Sequence, residues 1–132
     1  FKANLVDFDS IKLAKQQIQR DGYIRISTEF YAGVEMALDS AKRLGISTTL
    51  AVYDTEASPQ TTAQLLQTHN FSKHDVVLGP LTSNNITLVA QNLQQTTTAV
   101  VSPFVKLDKN YPNLIQTIPN DEWLAEKLLN YE

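Results

Sequence analysis

The sequence predicts an α/β domain, a three-layer sandwich built on a mostly parallel sheet. Three observations point there. Segments with helical and with strand-like patterning alternate along the chain at the spacing of βαβ units. The strand candidates at residues 75–79 and 99–102 are nearly continuous apolar runs, as expected for strands covered on both faces. Short polar loops with Gly or Pro join strand ends to helix starts, most clearly in Asp75-Val-Val-Leu-Gly-Pro-Leu-Thr-Ser-Asn-Asn85. With 42% hydrophobic and 19% charged residues, the 132-residue chain has the composition of one core-forming domain.

Residues 1–9 carry no clean period. Ser10 is a cap candidate for a short helix over residues 11–19, where Ile11, Ala14 and Ile18 share a face. Asp21-Gly22 is a turn signal, and residues 23–26 alternate weakly, as an edge strand or extended lead-in would. The strongest helix spans residues 28–44. Phe30, Val34, Ala37, Leu38, Ala41 and Leu44 form one apolar stripe, Ser27 or Thr28 starts the helix, and Gly45 suits the left-handed residue after its end. Gly33 inside it costs roughly 1 kcal/mol against Ala, which calls for a close backbone neighbour. Asp39 lies opposite the stripe, as a solvated carboxylate.

Residues 48–53 are rich in β-branched side chains and read as a strand, with residues 54–57 as its exit loop. Ser58-Pro59 is a helix start with Ser at N-cap and Pro at N1; the helix runs to about His69, with Ala63, Leu65 and Leu66 as apolar contacts. The strand at 75–79 leads to a helix at 83–94 with Ile86, Val89, Ala90 and Leu93 on one face, then the strand at 99–102. A loop over 103–112, a short strand at 114–118 and a final helix from Pro119-Asn120-Asp121, with Trp123, Leu124, Leu128 and Tyr131 inward, complete the chain. Right-handed crossovers would place helices on both sheet faces. The helix at 28–44 lacks a clear strand before it. Either residues 23–26 supply one, or the first strand lies upstream of Phe1, the favoured reading of a chain that looks like a piece of a longer protein.

Charge and motifs exclude several function classes. A net charge of −3 with scattered Lys and Arg argues against a nucleic-acid partner. With no cysteine there are no disulfides and no Cys-based metal sites. No apolar run approaches the ~20 residues of a membrane span. Walker, G-x-S-x-G and H-E-x-x-H motifs are absent. His69 and His74 read as solvated surface. Asp54 and Glu56 are carboxylates with no base or nucleophile near them in sequence. Asn70-Phe-Ser72 and Asn85-Ile-Thr87 match the glycosylation pattern, the second inside a predicted helix, where chance accounts for it. No catalytic residue, cofactor or metal site is expected.

Four ordered stretches carry a resemblance. They are Phe30-Tyr-Ala-Gly-Val-Glu-Met-Ala-Leu-Asp-Ser-Ala41, Leu50-Ala-Val-Tyr-Asp-Thr55, Asp75-Val-Val-Leu-Gly-Pro-Leu-Thr-Ser83, and Val100-Val-Ser-Pro103 followed by Tyr111-Pro112 and Thr117-Ile-Pro-Asn-Asp121. Together they resemble the first, Rossmann-like lobe of type I periplasmic binding proteins, the fold of branched-chain amino-acid binding proteins and receptor ligand-binding regions. The resemblance implies an α/β lobe over residues 28–132, preceded by an insert or lead-in at 1–27. It also implies a missing first strand before Phe1 and a second lobe beyond Glu132. Similar lobes occur in cell-envelope proteins that carry peptidoglycan-binding modules. Where amino-acid binders place small and hydroxyl residues after their I-S-P strand, this chain has Phe104-Val-Lys-Leu.

In open α/β sheets ligands meet the loops at strand C-termini. That makes Leu81, Thr82, Ser83 and Asn84, with Ser102, Pro103 and Phe104, the candidate ligand-binding residues, and residues 54–56 an outlying third loop. Ser83 and the first amides of its helix suit an anion, although Ser83 is also the natural N-cap. The expected function is non-catalytic binding of a small polar ligand, an amino acid or amide, in the periplasm or cell envelope, with a membrane transporter or envelope partner. The alternatives are an envelope scaffold that keeps the fold without a ligand and, behind both, a receiver-like domain or small enzyme with its acids near Asp54. A sheet lacking its first strand exposes edges that invite pairing with a second chain. Light scattering is expected to report a mass of two chains, or else residues 23–26 join the sheet; a monomer with an orderly four-strand sheet contradicts the assembly.

Overall fold

A computed structural model describes residues 13, 15, 16, 21–119 and 121–131. The chain divides into two compact units, Phe1–Asp54 and Thr55–Glu132. Leu13, Lys15 and Gln16 are helical, in keeping with a helix near 11–19, whose other residues and Ser10 cap lie outside the described ones.

The first unit is dominated by α1, Gly22–Arg43. Residues 23–26 are therefore helical, which overturns the edge-strand reading. The cause is local. The Asp21 carboxylate accepts from the amides of Tyr23 and Ile24 and caps the helix six residues earlier than Ser27 would. Ser27 and Thr28 lie inside the helix, their hydroxyls donating back to the carbonyls of Tyr23 and Ile24. Phe30, Val34, Leu38 and Ala41 form a half-buried stripe, whereas Ala37 and Leu44 are exposed. At the far end Gly45 takes φ +82°, its amide donating to Lys42 and that of Ile46 to Ala41. This is the Schellman pattern that the glycine predicts. Tyr31 donates to Glu35 across one turn at 2.8 Å, and this bond holds the phenol above its ordinary range. Residues 46–53 contain no strand: the β-branched run joins no ladder. The exit turn behind it places Glu56 and Ala57 at φ +51° and +54°.

The second unit is an α/β layer pair. In order come α2 (Pro59–Thr68), a 3₁₀ turn (Phe71–Lys73), β1 (Val76–Leu78), α3 (Ser83–Leu93), β2 (Ala99–Ser102), β3 (Leu114–Gln116) and α4 (Asp121–Leu129). The strands form a parallel sheet in the order β1-β2-β3. The register sets Val77, Val100 and Leu114 on one face, with Leu78, Val101 and Ile115 on the other. The core lies on the first face, where Ile86, Val89 and Leu93 of α3 meet Val100, with Leu66, Phe71, Val77, Leu107 and Leu114 around them. Helix α2 packs beside α3, its Ser58 cap and Pro59 start as predicted.

Two expectations fail here. Helices were expected over both sheet faces; within this unit α3 packs on the first face, while Val76, Leu78 and Ile115 on the other remain 50%, 47% and 53% exposed. Trp123, Leu124, Leu128 and Tyr131, expected to turn inward, are all exposed, because α4 seats no residue in the core.

A Cβ added at Gly33 meets nothing within 4 Å among the described residues, none of which requires the glycine. Gly33→Ala is expected to raise unfolding free energy by about 0.5–1 kcal/mol, as read by urea denaturation.

Candidate functional site

The seven sequence-predicted residues all fall in the second unit, on the C-terminal edge of the parallel sheet. Parallel pairing brings the ends of β1 and β2 side by side. Gly79, just past β1, donates its amide to Val101 at 2.8 Å. Its φ of +86° is open to glycine and strained for other residues. The Gly79-Pro80 peptide is cis, and the chain then enters α3 through half-buried Leu81 and Thr82.

The N-cap of α3 is Thr82 rather than Ser83, which lies inside the first turn and is exposed like Asn84. Thr82 makes no side-chain cap bond. The amides of Ser83, Asn84 and Asn85 therefore lack both an intrahelical acceptor and a side-chain cap, and the positive end of the helix dipole lies among them.

Asn85 is the residue that the sequence reading did not select. It is fully buried, and neither its Oδ1 nor its Nδ2 has a hydrogen-bond partner among the described residues. A buried amide left so costs about 1–3 kcal/mol per group. Helical side chains lean towards the helix N-terminus, which sets Asn85 beneath the uncapped turn. A signal was present: position 85 shares the apolar face of Ile86, Val89 and Leu93, and a polar residue on such a face stands out. Its burial also leaves its glycosylation match without an accessible acceptor. Asn70 instead receives the Ser72 amide and hydroxyl as cap of the 3₁₀ turn.

The β2 side is different in kind. The Ser102 hydroxyl is buried and donates to the Val105 carbonyl, while the Ser102 carbonyl accepts from the amide and hydroxyl of Thr117. Ser102 shapes the loop and has its hydroxyl already engaged. The Pro103 carbonyl also accepts from the Thr117 hydroxyl, at 3.1 Å. Gln116 clasps Leu107 on both sides, receiving its amide at 2.7 Å and donating to its carbonyl at 3.4 Å. Lys106 lies 3.6 Å from Asp121. Phe104 stands between these anchors, 47% exposed.

Among the described residues no cluster of His, Asp and Glu could hold a metal ion, and no helix is long and apolar enough to cross a membrane. A shallow hollow of about 260 Å³ lies at the opposite, N-terminal end of the strands, lined by residues including Thr97 and Asn113. The chain matches no protein-family model, no curated protein and no solved structure in comparisons with known proteins.

Gln116→Ala removes both bonds to Leu107. Hydrogen exchange is expected to show the Leu107 amide exchanging at least about tenfold faster, the loss of a bond worth roughly 1.5 kcal/mol, with the α3 amides unaffected.

Proposed function

We propose that this chain is a non-catalytic, small-ligand-binding lobe of the solute-binding or receptor type, with the architecture of a type I periplasmic binding protein lobe. The observation that carries the reading is the start of α3. An uncapped helix N-terminus, at the C-terminal edge of a parallel sheet, stands over a fully buried and unpartnered Asn85. First-turn amides and a helix dipole attract an anionic or acceptor group, and Leu81, Thr82, Ser83 and Asn84 frame it. Pro103 and Phe104 follow β2, the strand adjacent and parallel to β1, and so leave the sheet at the same edge. The motif resemblance extends the reading to an amino acid or amide as ligand, to ABC-type uptake or envelope sensing, and to the periplasm or cell envelope.

A second reading, an envelope scaffold or regulatory module without a small ligand, is favoured by one observation: the half-exposed Val76, Leu78 and Ile115 form an apolar sheet surface suited to protein contact.

Calorimetric titration of the chain with amino acids, carboxamides and peptidoglycan fragments separates the two. One compound is expected to bind, Ser83→Trp to abolish that binding, and Asn85→Leu to weaken it while raising unfolding free energy by about 1–3 kcal/mol through removal of the orphan amide. Silence across the panel overturns the small-ligand reading. Capture of a protein partner unaffected by Ser83→Trp supports the scaffold.

A further inference from the structure

The ring of Phe104 is held in a loop that is bonded on both sides of it. Before it, the Thr117 hydroxyl bonds the Pro103 carbonyl; after it, the Ser102 hydroxyl bonds the Val105 carbonyl and Gln116 clasps Leu107. Lys106, two residues on, is paired with Asp121. These bonds come from the buried end of β2, from the last residue of β3 and from the residue beyond it. The backbone that carries this large apolar side chain is held before any ligand arrives, so a contact made there costs less conformational freedom than one on a loose loop. Nearly half of the Phe104 surface still faces solvent. Its loop leaves the sheet beside the one that enters α3, since β1 and β2 are adjacent and parallel.

We propose that Phe104 determines the ligand class of this site, selecting small carboxylates that carry a flat ring over those that carry none. This rests on the small-ligand reading above. The carboxylate meets the first-turn amides over Asn85, and the ring lies against Phe104 in the offset or edge-to-face geometry that aromatic pairs prefer.

Nuclear magnetic resonance titration of the chain with acetate and with phenylacetate tests it, because amide shifts report millimolar binding. Both compounds are expected to shift the Ser83, Asn84 and Asn85 amides, with phenylacetate binding about three- to tenfold more tightly, the gain of one aromatic pair. Phe104→Ala is expected to erase that difference and leave the acetate affinity unchanged. An unaltered amide spectrum away from the loop shows that the variant folds. Equal affinities for the two compounds, or a preference that survives Phe104→Ala, overturn the selectivity while leaving the site intact. An equal loss for both compounds assigns Phe104 a structural role and likewise overturns it. Absence of shifts at α3 with either compound overturns the underlying site, and the inference with it.

Discussion

The packing of Ile86, Val89 and Leu93 onto Val100 is the contact on which the second unit depends. Three strands of three or four residues cannot hold themselves in register; a short ladder needs an apolar face pressed against something. Helix α3 provides that pressure from one side, and α2 braces α3 from beside it. Because α3 sits over the middle strand, its N-terminus is carried to the C-terminal edge of the sheet, where the β1 and β2 loops emerge together. The location of the candidate site is thus a by-product of how the core is closed.

The two halves of that edge do different work. On the β2 side, polar groups are consumed in fixing the chain: Ser102, Gln116 and Thr117 spend their hydrogen bonds on neighbouring backbone. On the α3 side, polar groups at the uncapped turn and at Asn85 find no partner among the described residues. The two loops at this edge thus differ in how far their polar groups are already engaged.

Much of this was legible in the sequence wherever local stereochemistry decides. Ser58-Pro59 and Gly45 mark helix ends because cap geometry and positive φ depend on few residues. The α3 face and the Ala99–Ser102 strand were legible from periodicity and from a dense apolar run. Failures came where partners decide. Residues 48–53 have strand composition, but β structure exists only with a neighbour to bond. Residues 23–26 looked extended until Asp21, two residues upstream, began a helix through them. In α4 the apolar period does not mean burial, because periodicity states only which side chains share a face. At the site the frame is readable from sequence and Asn85 is not, because an asparagine beside Ser83 and Asn84 has the look of ordinary loop polarity and only the fold shows its burial.

The half-exposed sheet face has a thermodynamic consequence. The heat capacity of unfolding follows the apolar surface newly exposed, and Val76, Leu78 and Ile115 have about half of theirs in water already. Unfolding of this unit therefore absorbs less heat capacity than the ~12–15 cal/mol/K per residue of a fully enclosed domain, and its stability curve against temperature is correspondingly flat. Any partner that covers the face adds curvature as well as stability, so the depth of that curve is itself a gauge of whether the sheet is bare or dressed.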